Sequence, residues 1–139
     1  MTFWDTSAIL PLVFFEDDSK NREHQLEDDL LMVVWYGTAV EIESAICRRS
    51  REKSLVKAQA VLARDKIQFL AESWLEIAPS AGLRKKAIRL LRVHVLRAGD
   101  AFQLAAALIA VEDHPSGNRF LTGDHGLKEA AEAEGFLVS

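Results

Sequence analysis

A single cysteine, Cys47, excludes an internal disulfide and any cysteine-based zinc cluster. The four histidines, His24, His94, His114 and His125, form no close ligand pair, so a structural zinc site is not expected either. No glycine-rich loop follows the first apolar run, which removes a dinucleotide-binding turn. The longest strongly apolar stretch, Leu104 to Val111, is far too short to span a bilayer. No basic segment followed by a signal-like apolar run opens the chain. A soluble cytoplasmic protein without a membrane partner is the expectation. Repeats, low-complexity tracts and domain boundaries are absent as well.

What is present suits one domain, residues 1–139, with 49% apolar residues and enough length to bury a core. Net charge is -4, but its distribution says more than its sum. The segment from Glu16 to Asp29 is strongly acidic, broken only by Lys20 and Arg22. Arg48 to Lys66 and Arg84 to Arg97 are basic, the latter with no acid at all. Amphipathic helices with charged outer faces explain part of this pattern. A surface that approaches a polyanion explains the rest.

Periodicity gives the elements. Thr2 to Trp4 reads as a central strand, followed by a helix to about Phe15 that Thr6 or Ser7 caps and that tolerates Pro11 in its first turn. A helix over Ser19–Leu30 leads to a strand over Leu31–Trp35. Thr38 is placed to cap the next helix, with Glu41 three residues on completing a capping box. A helix over Ser54–Ala71, using Leu55, Ala58, Val61, Leu62 and Leu70 as contacts, precedes a strand at Trp74–Ala78. A helix over Gly82–Leu96 follows, with a Leu83, Ala87, Leu90, Leu91 stripe. Asp100 then opens an almost wholly apolar helix from Ala101 to Val111, which marks it as buried. A strand at Arg119–Leu121, a helix at Leu127–Glu134 capped by Gly135, and a short edge strand from Phe136 complete the chain.

Strands alternating with helices predict an α/β three-layer domain, with a central, mostly parallel sheet of four to five strands flanked by helices. In such a sheet, functional groups collect beyond the C-terminal strand ends. Asp5 and Asp124 each follow a strand there, and Glu41 and Asp100 lie in the first turns of helices that start on the same rim. Converging carboxylates repel one another, and a divalent cation relieves that repulsion. The expected site is therefore an oxygen-donor metal centre, taking one or two Mg2+ or Mn2+ ions, that hydrolyses a phosphodiester through activated water. Thr6, Ser7 and Thr122 are the supporting hydroxyls. Arg48, Arg49, Arg84, Lys85, Lys86, Arg89 and Arg92 are the candidate contacts to a phosphate backbone. Cys47, Trp4, Trp35 and Trp74 read as packing residues, as do most of Ile9, Leu12, Val13 and Phe14.

The residues that carry this constellation also carry a family resemblance. Asp5-Thr6-Ser7-Ala8, the Glu41–Arg49 helix, the stretch Leu96–Ala107 around Asp100, and Leu121-Thr122-Gly123-Asp124 resemble, in order and spacing, the four acidic motifs of PIN-domain ribonucleases. The resemblance is strongest to VapC-type toxins of toxin–antitoxin pairs, and its register selects Glu41 over Glu43. It implies a PIN-like fold with Asp5, Glu41, Asp100 and Asp124 as catalytic metal ligands and a Mg2+- or Mn2+-dependent endoribonuclease. It further implies RNA substrates such as tRNA or rRNA, a homodimer, and a cognate antitoxin lying over the active-site groove. A non-toxin PIN nuclease of RNA processing and a catalytically weak binding domain share these motifs. A haloacid-dehalogenase-like phosphatase would need a second aspartate where this chain has Ser7.

Overall fold

A computed structural model describes residues 1–139. The elements run β1 (Thr2–Trp4), α1 (Thr6–Val13), α2 (Ser19–Asp28), β2 (Met32–Trp35), α3 (Thr38–Arg51) and α4 (Lys57–Ala71). They continue with β3 (Leu75–Ile77), α5 (Ala81–Val93), α6 (Ala98–Ala110), β4 (Arg119–Leu121), α7 (His125–Glu134) and β5 (Leu137–Val138). All strand pairs are parallel and the spatial order is β3-β2-β1-β4-β5. The expected three-layer α/β architecture is the one observed, with β1 at the centre.

Period-two alternation builds the layers, because successive strand side chains point to opposite faces. Phe3, Val33 and Phe120 enter a core with Leu83, Leu90, Leu104, Leu108 and Leu127 from α5, α6 and α7. Trp4, Met32, Val34 and Leu121 face the opposite way, onto Ile9, Ile42, Ile46, Ala60 and Ala63 of α1, α3 and α4. No helix is long and apolar enough to cross a membrane.

Several local expectations change. The first helix is capped by Asp5, which accepts from Ser7 N, so neither Thr6 nor Ser7 is the cap. The Thr38–Glu41 capping box does not form: Gly37 is the N-cap residue, and Thr38 is a buried first-turn residue instead. In α4 the inward positions are Ala60 and Ala63, so Val61 and Leu62 are exposed. Small residues let that helix sit close to the core, which sets its face one position away from the larger side chains. Leu91 leaves the α5 stripe for solvent, and Cys47 is only half-buried, its thiol 3.5 Å from Glu43 Oε1. Ile9, Val13 and Phe14 are core, as expected.

Strand order decides where a site can form. The chain moves outward from β1 to β2 to β3, then returns to the other side of β1 as β4. The helices after β1 and β4 therefore leave on opposite faces, opening a crevice at the strand ends. Asp5 and Asp124 stand at that crevice, and Asp5 N donates to Leu121 O across it at 3.0 Å.

Candidate functional site

All four acids reach one cavity. It measures about 500 Å³ and is lined by Asp5, Glu41, Asp100 and Asp124 together with Thr6, Ser7, Leu10, Val40, Ser44, Ala45 and Arg48. Each acid starts a helix: Asp5 and Asp124 are the N-caps of α1 and α7, while Glu41 and Asp100 lie in the first turns of α3 and α6. Helix N-termini carry partial positive charge, which offsets part of the repulsion among carboxylates gathered there.

The hydrogen bonds follow one rule across all four groups. Asp5 accepts through Oδ2 alone, from Ser7 Oγ, from Thr122 Oγ1 at 2.9 Å and from Ser7 N at 3.3 Å. Glu41 accepts through Oε2 alone, from Thr6 Oγ1 at 2.6 Å and Gln103 Nε2 at 3.0 Å. Asp124 takes Leu127 N on Oδ1 at 2.8 Å, and Asp100 takes Arg97 N on Oδ2 at 3.4 Å. One oxygen of every carboxylate is fixed by the protein, and the other accepts no protein hydrogen bond. Outer contacts of this kind orient a ligand while leaving its second oxygen available.

Electrostatics point the same way. Burial pushes the Asp5 carboxyl up to about 6, with hydrogen bonds from Ser7 and Thr122 pulling back and the Glu41 charge adding to the rise. Asp100 is also raised, first by burial and then by the charge of Asp124. Arg48 is the single cationic residue on the cavity wall and makes no ion pair. No three histidine, cysteine, aspartate or glutamate side chains are drawn onto a common point as a ready-made cation cage. The donor set nevertheless fits a hard divalent cation in kind: oxygen only, anionic, crowded, and with four oxygens unclaimed.

The expected supporting hydroxyls all have partners. Thr6 serves Glu41, while Ser7 and Thr122 serve Asp5. Ser7 Oγ also receives Gly123 N at 2.8 Å, and Thr122 Oγ1 receives Asp124 N at 3.0 Å, so the same two hydroxyls shape the loop that carries Asp124. The candidate RNA contacts divide. Arg49 is engaged by Glu16 and lies 3.9 Å over the Phe14 ring. Lys86 pairs with Asp113, and Arg89 with Glu134. Arg84, Lys85 and Arg92 are exposed on α5 without ion pairs, along a groove of about 740 Å³ that shares no lining residue with the acidic cavity.

Two positioning residues escaped the sequence reading. Gln103, 1% exposed, donates to Thr6, Thr38 and Glu41, joining α1, α3 and α6 beneath the cavity. Its signal was available: it is the only polar residue between Ala101 and Val111. Arg22, 4% exposed, pairs with Asp18 at 2.6 Å and donates to Thr122 O at 3.0 Å and Ser139 O at 3.3 Å. This gives the acidic segment a structural role, since α2 is pinned through Arg22 to the strand end that holds Thr122. Nothing in a run of acids marks one arginine as buried.

No family model and no curated protein matches the chain. Among solved structures it is similar to the crystal structure of PAE2754 from Pyrobaculum aerophilum, with a TM-score of 0.68 and 15% sequence identity. The match covers 99% of this chain and 87% of that one, a likeness of fold over the whole domain.

Proposed function

We propose that the protein is a divalent-metal-dependent RNA endonuclease. The observation that carries the reading is the shared hydrogen-bond pattern. Four carboxylates line one cavity, each held by one oxygen and open at the other. Asp5, Glu41, Asp100 and Asp124 are the residues that would hold Mg2+ or Mn2+. The chemistry supplied by such an ion is positive charge against phosphate oxygens and water acidic enough to attack at neutral pH. Ser7 and Thr122 keep Asp5 oriented, and Thr6 with Gln103 keeps Glu41 oriented. Arg48 stands where it can meet a phosphate of the bound strand. Arg84, Lys85 and Arg92 add attraction at longer range.

The motif resemblance extends the proposal to the toxin of a type II toxin–antitoxin pair: cytoplasmic, homodimeric, acting on RNA such as tRNA or rRNA, and silenced by a cognate antitoxin. RNA cleavage by antitoxin-free protein with Mg2+ or Mn2+ tests the chemistry. The expected result is cleavage abolished by chelator and by Asp5→Asn or Asp100→Asn. Activity indifferent to chelator, or retained by both variants, would sink it. Growth arrest on expression, relieved by the product of an adjacent small gene, tests the toxin role separately.

A further inference from the structure

On the same strand-end rim as the acidic cavity lies a second one of about 340 Å³, with no lining residue in common. Its wall is aromatic and apolar, with Trp35, Phe102, Leu83 and Pro79, and its polar groups are Ser80 and Arg84. Trp35 ends β2, and Pro79 follows β3. Phe102 sits two residues beyond Asp100 in α6, so the helix that presents an acid to one cavity also walls the next.

The wall is built rather than incidental. The Trp35 and Phe102 rings stack in parallel, centroids 5.3 Å apart and planes at 7°. On another side the indole lies so close to Gly37 that a Cβ there would fall 2.4 Å from Nε1. A ring fixed from two sides needs little ordering when a ligand arrives. Both rings are only half-buried, so they retain surface to offer. The inner edges of both rings pack against the core beneath, and their outer faces stay open to the cavity.

Charge identifies the occupant. Arg84 and the first turn of α5 are shared between this cavity and the basic groove of about 740 Å³ that carries Lys85 and Arg92. Ser80 caps that helix by accepting from Leu83 N at 3.0 Å, which leaves the positive end of α5 at the cavity mouth. An aromatic slot that continues into an unpaired cationic track suits a flat ring tethered to a phosphate backbone.

We propose that this cavity binds an unstacked nucleobase of single-stranded RNA, with Arg84 taking the adjoining phosphate. It is a specificity subsite joined to the acidic centre through α6, and it rests on the proposed function for the identity of the polymer. A base seated here fixes which phosphodiester reaches the carboxylates, so the enzyme selects a flipped-out or looped nucleotide rather than duplex.

The test is oligouridylate binding in chelator, where no cleavage occurs, read by tryptophan fluorescence and by direct titration. A matching ribose-phosphate oligomer without bases is the control. Oligouridylate quenches the fluorescence, and the base-free oligomer does not. Phe102→Leu weakens oligouridylate about tenfold while leaving base-free affinity unchanged. Arg84→Gln weakens both and lowers the slope of log affinity on log salt by about 0.7. Equal oligouridylate affinity in wild type and a folded Phe102→Leu overturns the proposal. So does quenching by an aromatic peptide with no response to RNA, which would assign the slot to a protein. If Phe102→Leu fails to fold, Arg84→Glu at its exposed position serves instead, and undiminished quenching in that variant is equally fatal. Metal-dependent cleavage that needs Asp100, combined with base-independent binding, removes this subsite alone. Base-dependent binding with no cleavage in Mg2+ or Mn2+ removes the nuclease reading and leaves the subsite.

Discussion

The acidic cavity and the basic flank of α5 use charge in opposite ways. In the cavity the carboxylates are crowded, Asp5 is 5% exposed, and each group is held at one oxygen by a named donor. On α5, Arg84, Lys85 and Arg92 stand in solvent with no ion-pair partner. Backbone topology specifies the first set, so every member has its own place. In the second, Lys85 and Arg92 offer only summed charge and are expected to be nearly interchangeable, while Arg84 alone also lines the aromatic cavity. Substitutions should therefore be decisive in the cavity and graded on the flank.

The largest expected contrast is in cleavage. Asp100→Asn replaces one carboxylate oxygen with little change of shape and, if the proposed metal role holds, should lower activity well beyond the ~10–100-fold typical of a supporting contact. Lys85→Gln should alter it only a few-fold at moderate salt. Comparable losses in the two variants would mean that position within the cavity carries no special role.

Stability sharpens the comparison with a reversed sign. Asp5 has a folded value of about 6 against an ordinary 3.8, so the folded state holds a proton more tightly than the unfolded chain. The associated stability is complete below about pH 4 and is lost as pH rises through about 6. A rise of this size corresponds to about 3 kcal/mol. Chelated wild type should thus weaken between those pH values, and Asp5→Asn should flatten the profile and be the more stable form at pH 8. Asparagine can still cap α1 and accept from Ser7 and Thr122. Urea denaturation at pH 4 and pH 8 measures the effect, and identical profiles for the two proteins would refute it. The substitution expected to remove activity is also expected to strengthen the fold.

The same contrast explains what the sequence could reveal. Asp5 and Asp124 were legible because strand ends are marked by short apolar runs, and parallel topology brings strand ends together. Asp100 was legible because a wholly apolar helix needs its start marked. Glu41 was harder. Pattern alone offered a capping box or Glu43 as rivals, and the motif register was needed to choose. In the fold the choice has a physical basis: Glu43 faces outward and pairs with Arg64 at 2.8 Å, whereas Glu41 meets Thr6 and Gln103. Gln103 stood out as the one polar residue of an apolar helix, but its partners and those that Arg22 reaches on the strand end lie 62 to 117 positions away and leave no local trace. The α4 face was misjudged because alanines, the smallest apolar residues, occupy the tightest contact.

Gln103 tests whether orientation within the cavity matters beyond the presence of charge. Gln103→Leu keeps volume close and removes the donor shared by Glu41, Thr6 and Thr38. Buried acceptors left without a donor cost about 1–3 kcal/mol. Activity should fall by about 10–100-fold, with a higher metal concentration needed for half-maximal rate. Saturating metal that restores no activity would show that Gln103 serves the fold alone.

The smallest effects belong to the flank and are best read through salt. Lys85 and Arg92 are exposed, so Lys85→Gln and Arg92→Gln should each change stability by no more than about 0.5 kcal/mol. If each neutralises one phosphate, each substitution lowers the slope of log affinity on log salt by about 0.7, and the double variant by about twice that. Additivity is the point, since independent exposed charges sum whereas cavity residues that share hydrogen bonds do not. Titration of single-stranded RNA at several salt concentrations gives the slopes directly. A slope unchanged in the double variant would take Lys85 and Arg92 off the RNA path and leave Arg84 and Arg48 as its cationic contacts.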